Sequence, residues 1–527
     1  MRTTDTLTTG PKLKDAEVTI TRSTFFTMAL VYLTLPVVIF FLGYLKIWWG
    51  LLFSALTITA VVAAIKRFHK DGPADQADKI TIKPSFFLVV IPLIIVFLFL
   101  GGVSEYSWCL IDHRVRYAIL NDLISYKWPV IYDFQTQQNP IVAQYLGEGK
   151  VAFAYYFVFW MVPAVIGKVT NLTIARLVLF IWSGLGLFLV ALGASFLYKR
   201  ASKTLFIAIM FFSGFDVIPG YINDFLGIDG TWEGWNIHLH IHGNFYQIMN
   251  VFNQSIPGWL ITILLLMCVN GSCVGLLGAL MFCYSPWAAI GFAPLCVCKL
   301  FMGKRAAGDK MGKLLIKELN TPGNLIAPVV FLITFATMFT ANSQATSGNG
   351  LIWEFYDTPL ELIIDYIKYA VFEFGLWALL LYTRHKKNPL FWTAIGTLLI
   401  MPIYKITIAN DLIMRGTMAP MFLIGLYASF FIADNFYRCL HEKGFNIRTR
   451  AAVLTLIVAS YVPVNCLITS AVMTYEIKVK KQHLEDDCTL DIGSFGNINH
   501  EDQLEMVQTQ FYVYNYEDTV FFKYLAK

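Results

Sequence analysis

Fourteen apolar runs, many close to the length of a membrane span, constrain this chain more than any other feature. They lie near residues 24–45, 48–65, 86–103, 151–168, 173–197, 204–220, 257–270, 271–284, 286–302, 324–341, 366–383, 389–408, 416–433 and 451–473. A hydrocarbon core about 30 Å thick takes about 20 predominantly apolar residues per helical crossing. The chain as a whole is 57% hydrophobic and 14% charged, where a soluble domain carries about 25% charged residues. A soluble fold of this length has no interior large enough for that apolar excess. The expected fold is all-α, a polytopic transmembrane helical bundle.

Orientation follows from where the cations lie, since cytoplasmic loops carry an excess of Lys and Arg. The basic stretches are 66–70, Lys199-Arg200, 304–317, 384–387 and 438–450. Placing all of them inside requires that 151–168 be re-entrant or peripheral. The result is about thirteen crossings, N-terminus in and C-terminus out. The polar first eighteen residues have no cleavable signal pattern, so 24–45 reads as a retained span. Residues 1–85 then form a tail and hairpin, and 86–473 the main transmembrane domain. Its long outer loops are 104–150, 221–256 and 340–363, and residues 474–527 form an outer tail that folds back.

The nine cysteines show no CxxC pair or zinc spacing. Cys268, Cys273, Cys283, Cys296, Cys298 and Cys466 fall in apolar runs and read as small core residues. Cys109 and Cys488 fall on the same outer side, where a disulfide between them is open.

The stretch 112–200 carries a resemblance. It contains Asp112-His113-Arg114-Val115-Arg116-Tyr117-Ala118, Trp128-Pro129, Lys150, Tyr155-Tyr156, Gly167-Lys168, Ala175-Arg176-Leu177 and Tyr198-Lys199-Arg200. In order and approximate spacing this resembles the N-terminal half of the GT-C glycosyltransferases that use polyprenyl-phosphate sugars. Lipid A aminoarabinose transferases and protein O-mannosyltransferases typify them. The match covers about ninety residues and departs from the pattern in three places. Val151-Ala152 replaces a Pro-Pro pair, Asp112 sits about one residue from the family's acid, and two extra spans precede the match. The chain also resembles a group of bacterial membrane proteins that share the runs seen here at Trp128–Tyr132, Ser285–Gly291 and Asn410–Arg415.

The resemblance implies a bacterial inner-membrane enzyme of cell-envelope polysaccharide synthesis. It would move a sugar, with inversion, from a polyprenyl-phosphate donor to a glycan, lipid or protein acceptor on the outer side. No cofactor is implied. Asp112-His113-Arg114 lacks the second acid of an Asp-x-Asp motif, so no metal is expected either. Such a reaction needs a base near the acceptor and cations around the departing phosphate. Asp112 is the candidate base and Asp122 a second acid for that role; a helix cap or a solvated face are the alternatives. Lys150, Arg116, Arg176 and Arg415 are the candidate phosphate-binding cations. For Lys150 the plain alternative is a lysine snorkelling to headgroups.

Tyr155, His238, His240, His242 and Asp411 are candidate substrate-lining residues. In a strand, alternation would put the three imidazoles on one side, where zinc or an acceptor site are both open. Asp411 and Arg415 at i and i+4 share a helix face, so an ion pair that only braces the bundle competes with phosphate binding. Lys405 adds positive charge nearby. Membrane lipids are expected partners, and nothing points to nucleic acid. An O-antigen-type polymerase or ligase, or a flippase or transporter without covalent chemistry, are the rival readings.

Overall fold

The computed structural model describes residues 17–71, 78–134, 149–227, 234–303, 311–342, 348–407, 410–441, 447–481, 492–498 and 510–527. Cys488 and the 304–310 part of the basic loop lie outside them. The protein is a mostly helical bundle. Among the described residues six helices are long and apolar enough to cross a membrane, or seven if the 43° bent pair Val453–Ala459 and Tyr461–Val479 is one span.

The first two, α1 (Arg22–Tyr44) and α2 (Ile47–Asp71), form a hairpin. Thr21 caps α1 by accepting from the Thr24 N–H at 3.1 Å, and uninterrupted apolar sequence carries the helix on. At the centre lies Asn244–Met267, whose spanning window is wholly buried. It bears Asn250, Asn253, Gln254 and Ser255, all buried. Polar groups at that depth are tolerated against other helices and not against lipid.

The basic stretches gather at one end. Arg22 reaches Asp78 at 3.7 Å and bonds the Met267 carbonyl. Asn270 donates to Asp71 at 2.7 Å. Phe25 touches Phe196, which brings the turn after Leu197 to that same end, and there Tyr198 and Arg384 both hold Asp434, at 2.8 and 3.0 Å. A two-stranded ribbon, β1 (Val18–Thr21) with β2 (Lys79–Ile82), also sits there.

The other end carries the C-terminal tail. Leu45 bridges Ala526, and the Lys527 N–H donates to the Tyr44 carbonyl at 3.0 Å. Strands β3 (Ile131–Asp133), β4 (Lys150–Phe153) and β7 (Tyr512–Val513) make one antiparallel sheet in that order; β5 (Gly350–Leu351) and β6 (Tyr404–Lys405) pair separately. The tail is therefore stitched to the first long loop.

Two groups of short helices bear on the crossing count. Met161–Val169 has nine residues, about 14 Å at 1.5 Å per residue, too short to span. Lys168 fastens it by donating to the Ile124 and Tyr126 carbonyls at 3.1 and 2.6 Å. The runs 271–284 and 286–302, read above as two spans, form helices of 11 and 16 residues that double back at Ser285-Pro286. At the tip, Tyr284 donates to the Leu33 carbonyl, midway along α1, at 2.8 Å. Ser285 donates to Gln254 at 2.7 Å. The tip of the hairpin thus packs against the middle of α1.

Its second helix packs backbone to backbone on Asp411–Gly416. A Cβ on Gly291 would stand 1.7 Å from the Gly416 carbonyl oxygen. Gly291→Ala is expected to lower stability by about 3 kcal/mol through overpacking, read as a fall in melting temperature of the purified protein.

Candidate functional site

The site is assembled where four segments meet: helix α4 (Ile111–Ser125), the Tyr155-Tyr156 turn after β4, the 234–243 stretch, and the short helix Asp411–Gly416. Arg116, on α4, is buried. Its Nε donates to the Tyr155 hydroxyl at 3.3 Å, and Nη1 donates to the Asn250 carbonyl. That carbonyl is on offer because the Asn244–Met267 helix breaks at Val251 (φ −143°, ψ 42°), which takes the preceding carbonyls out of the helical ladder.

Arg415 is buried as well and pairs with Asp411 at 2.7 Å across one helical turn. The acid stands at the helix N-terminus, the favourable order for the pair and the dipole. Thr407 donates to the second Asp411 oxygen at 3.1 Å. Asn410 sets the entry of this helix with a left-handed backbone (φ 54°) and accepts from the Ile413 N–H at 3.4 Å. Its amide donates to the His238 carbonyl at 2.8 Å, tying the helix to the histidine stretch.

Tyr156 joins the two arginines. Its ring lies 3.8 Å from that of Tyr155. Burial and the Tyr155 hydroxyl push its own hydroxyl well above the usual range, while Arg415 and Arg116 pull it down. Both guanidinium groups are thus close enough for their charge to be felt at Tyr156. Arg116 also faces a narrow cleft lined by Glu105, His113, Trp160, Arg176 and Phe252. Arg176 is ion-paired to Glu105 there.

The histidines divide. Residues 234–243 form a run of bends and not a strand, so the alternation does not put three imidazoles on one side. His238 packs on Phe355 and Tyr356. His240 donates from Nδ1 to the Asn236 carbonyl at 2.7 Å, which leaves its Nε2 to accept from His242 Nε2 at 3.3 Å. Burial pulls His240 down to about 4 and His242 well below its ordinary value, and the Arg415 charge adds to both. The pair is neutral at neutral pH. Lys405 sits 4.1 Å above the Phe355 ring.

Of the remaining predicted residues, Lys150 and Asp122 lie elsewhere. Asp112 occupies the first turn of α4, one turn before Arg116; its side chain is outside the described part. Lys150 stands in register with Asp133 across β3 and β4, 3.4 Å away and half exposed. Asp122 is fully buried. One of its oxygens accepts from the Tyr132 hydroxyl at 2.7 Å and the Phe495 N–H at 2.9 Å. Burial pushes its carboxyl up to about 6, against the pull of Ser494, Tyr132 and Phe495. Asp122 thus pins the tail.

Among the described residues no three His, Cys, Asp or Glu side chains converge as a metal set. No family model matches this chain, and no curated protein or solved structure matches it either.

Tyr156, Asn250 and Glu105 belong to the site region but stood outside the sequence-based set. The tyrosine doublet was visible; the Asn250 carbonyl and the Glu105 pairing depend on a helix break and a long-range contact with no local signature.

Proposed function

We propose that this chain is a GT-C-type membrane glycosyltransferase that moves a sugar from a polyprenyl-phosphate donor to a glycan, lipid or protein acceptor on the outer side. The reading rests on one observation: two buried arginines from distant segments converge on the Tyr155-Tyr156 turn, Arg116 by its hydrogen bond to the Tyr155 hydroxyl and Arg415 by its field at Tyr156. Arg415 is compensated here by Asp411 at 2.7 Å, so an incoming anion would share these guanidinium groups with their present partners. A phosphate that gains charge as the glycosidic bond breaks is such an anion, and guanidinium groups suit its oxygens.

Arg116 and Arg415 hold the donor phosphate. The Tyr155 and Tyr156 rings flank it, and the neutral His240–His242 pair and Asp411 line the acceptor side. Asp112 is the base that takes the acceptor proton. No cofactor is involved. In this reading the bundle crosses eleven times, the 274–301 hairpin being re-entrant. The N-terminus and basic end face the cytoplasm, and the tail sheet faces out from a bacterial inner membrane.

Purified protein in nanodiscs, given a panel of radiolabelled polyprenyl-phosphate sugars, tests the reading. Label transfer or slow donor hydrolysis is expected, with Asp112→Asn losing turnover and retaining donor binding. No turnover with any donor would shift the reading to a transporter or a polymerase.

A further inference from the structure

A second polar site lies deeper in the bundle, apart from the arginines. Asp216 follows the break after Lys203–Met210 and opens the helix Val217–Phe225. Glu373 sits near the midpoint of the helical run from Pro359 to His385, inside the π-helical turn Tyr369–Gly375. Turns of that kind re-aim side chains and recur at functional sites. Both carboxyls are fully buried. The two segments are tied by the Phe215 N–H donating to the Phe372 carbonyl at 2.8 Å.

The carboxyls meet over Gly214. A Cβ there would lie 2.8 Å from Glu373 Oε2 and 3.0 Å from Asp216 Oδ1, so the two oxygens border one small space. Their other oxygens are taken: Ser213 Oγ donates to Asp216 Oδ2 at 3.0 Å, and Trp235 Nε1 donates to Glu373 Oε1 at 2.9 Å. Asp216 Oδ1, which faces Glu373, receives no hydrogen from the described residues. Lys368, the nearest cation along the helix, is engaged with Asp365 and Asn223, each at 3.2 Å.

We propose that Asp216 and Glu373 form a proton-binding site that holds one shared proton at neutral pH. Two ionised carboxylates are acceptors only and repel; one proton turns the contact into a short O–H···O bond and removes one buried charge. A metal cation fits less well. It needs about six oxygen lone pairs, and the neighbouring Ser213 O–H and Trp235 N–H present hydrogens instead. Ionisable groups at membrane depth are costly, pair with one another, and mark proton relays or ion pathways as a default hypothesis. Proton occupancy here sets how the 359–385 run packs on the break at 211–216. This inference does not depend on the glycosyltransferase reading.

The test is infrared spectroscopy of the full-length protein in nanodiscs at pH 7.5, reading the C=O stretch of protonated carboxyl groups. Wild type minus Asp216→Asn and wild type minus Glu373→Gln should each show the loss of one such band. In either variant the new amide N–H takes the place of the shared proton, and the remaining carboxylate ionises. Melting temperature reports whether each variant is folded; if one is not, the other decides alone. A difference spectrum from a folded variant with no band lost means both groups are ionised in wild type and overturns the proposal. Sodium-dependent protection from heat, lost in the same variants, overturns it in favour of a cation site.

Discussion

Arg415→Ala is expected to lower sugar transfer about 10²–10³-fold with the protein still folded. That is the usual effect of removing one preorganised group that stabilises developing charge. Arg415 is buried and paired with Asp411, so its loss removes a buried positive charge from the site. Arg116→Ala is expected to be as damaging, because it also releases the Tyr155 hydroxyl and the Asn250 carbonyl. Lysine at either position restores charge without the planar fork, so partial recovery is predicted for both. Initial rates of label transfer, normalised to monodisperse protein, supply the comparison. Wild-type rates in the alanine variants contradict a phosphate role for these side chains.

Asp122→Ala should destabilise the protein by about 2–4 kcal/mol, since the Tyr132 hydroxyl and the Phe495 N–H both lose a buried acceptor. The tail segment they secure carries Phe495, Phe511, Tyr512 and Phe521, all buried, so unlatching reaches beyond the two hydrogen bonds. The pH dependence has a definite sign. Burial raises the Asp122 carboxyl from 3.8 to about 6 in the folded protein, so the folded state binds the extra proton between those values. Stability from this group is full below about 4 and falls as pH rises through 6. At about 1.4 kcal/mol per pKa unit the loss is about 3 kcal/mol. Asp122→Asn, which retains an acceptor and carries no charge, should flatten that slope and leave the protein more stable than wild type at pH 8. Thermal melts from pH 4 to 8 decide it; parallel curves for wild type and Asp122→Asn would show that Asp122 does not titrate in this range.

How much of this was legible beforehand depended on the range of the interaction. The apolar runs announced a membrane bundle, because lipid imposes one length and one composition on every span. The same rule hid the hairpin at Ser285-Pro286: a run that turns back against the middle of other helices is as apolar as one that crosses. Parity of the basic loops left 151–168 out of the spans, and the only described α-helix there is short, Met161–Val169.

In the site, Asp411 and Arg415 were legible as a pair since four residues is one helical turn. Their approach to Arg116 joins positions about 300 apart in sequence and left no local trace. Lys150 had the spacing of a phosphate ligand, yet strand register set it opposite Asp133. The His238–His242 alternation would act together only in a strand, and the stretch bends instead. Asp216 and Glu373 were missed because each lies alone among apolar residues, and only the break after Met210 and the π turn at Tyr369–Gly375 bring them together.

The most direct measurement is photo-crosslinking of a diazirine-bearing polyprenyl phosphate to the protein in nanodiscs, with adducts mapped by peptide mass spectrometry. The proposed site predicts adducts concentrated on Tyr155–Trp160, Asn250–Phe252 and Asp411–Gly416, competed by unlabelled lipid phosphate and lost in Arg116→Ala. Adducts scattered over the lipid-facing surface of the outer helices, unchanged in that variant, would contradict it.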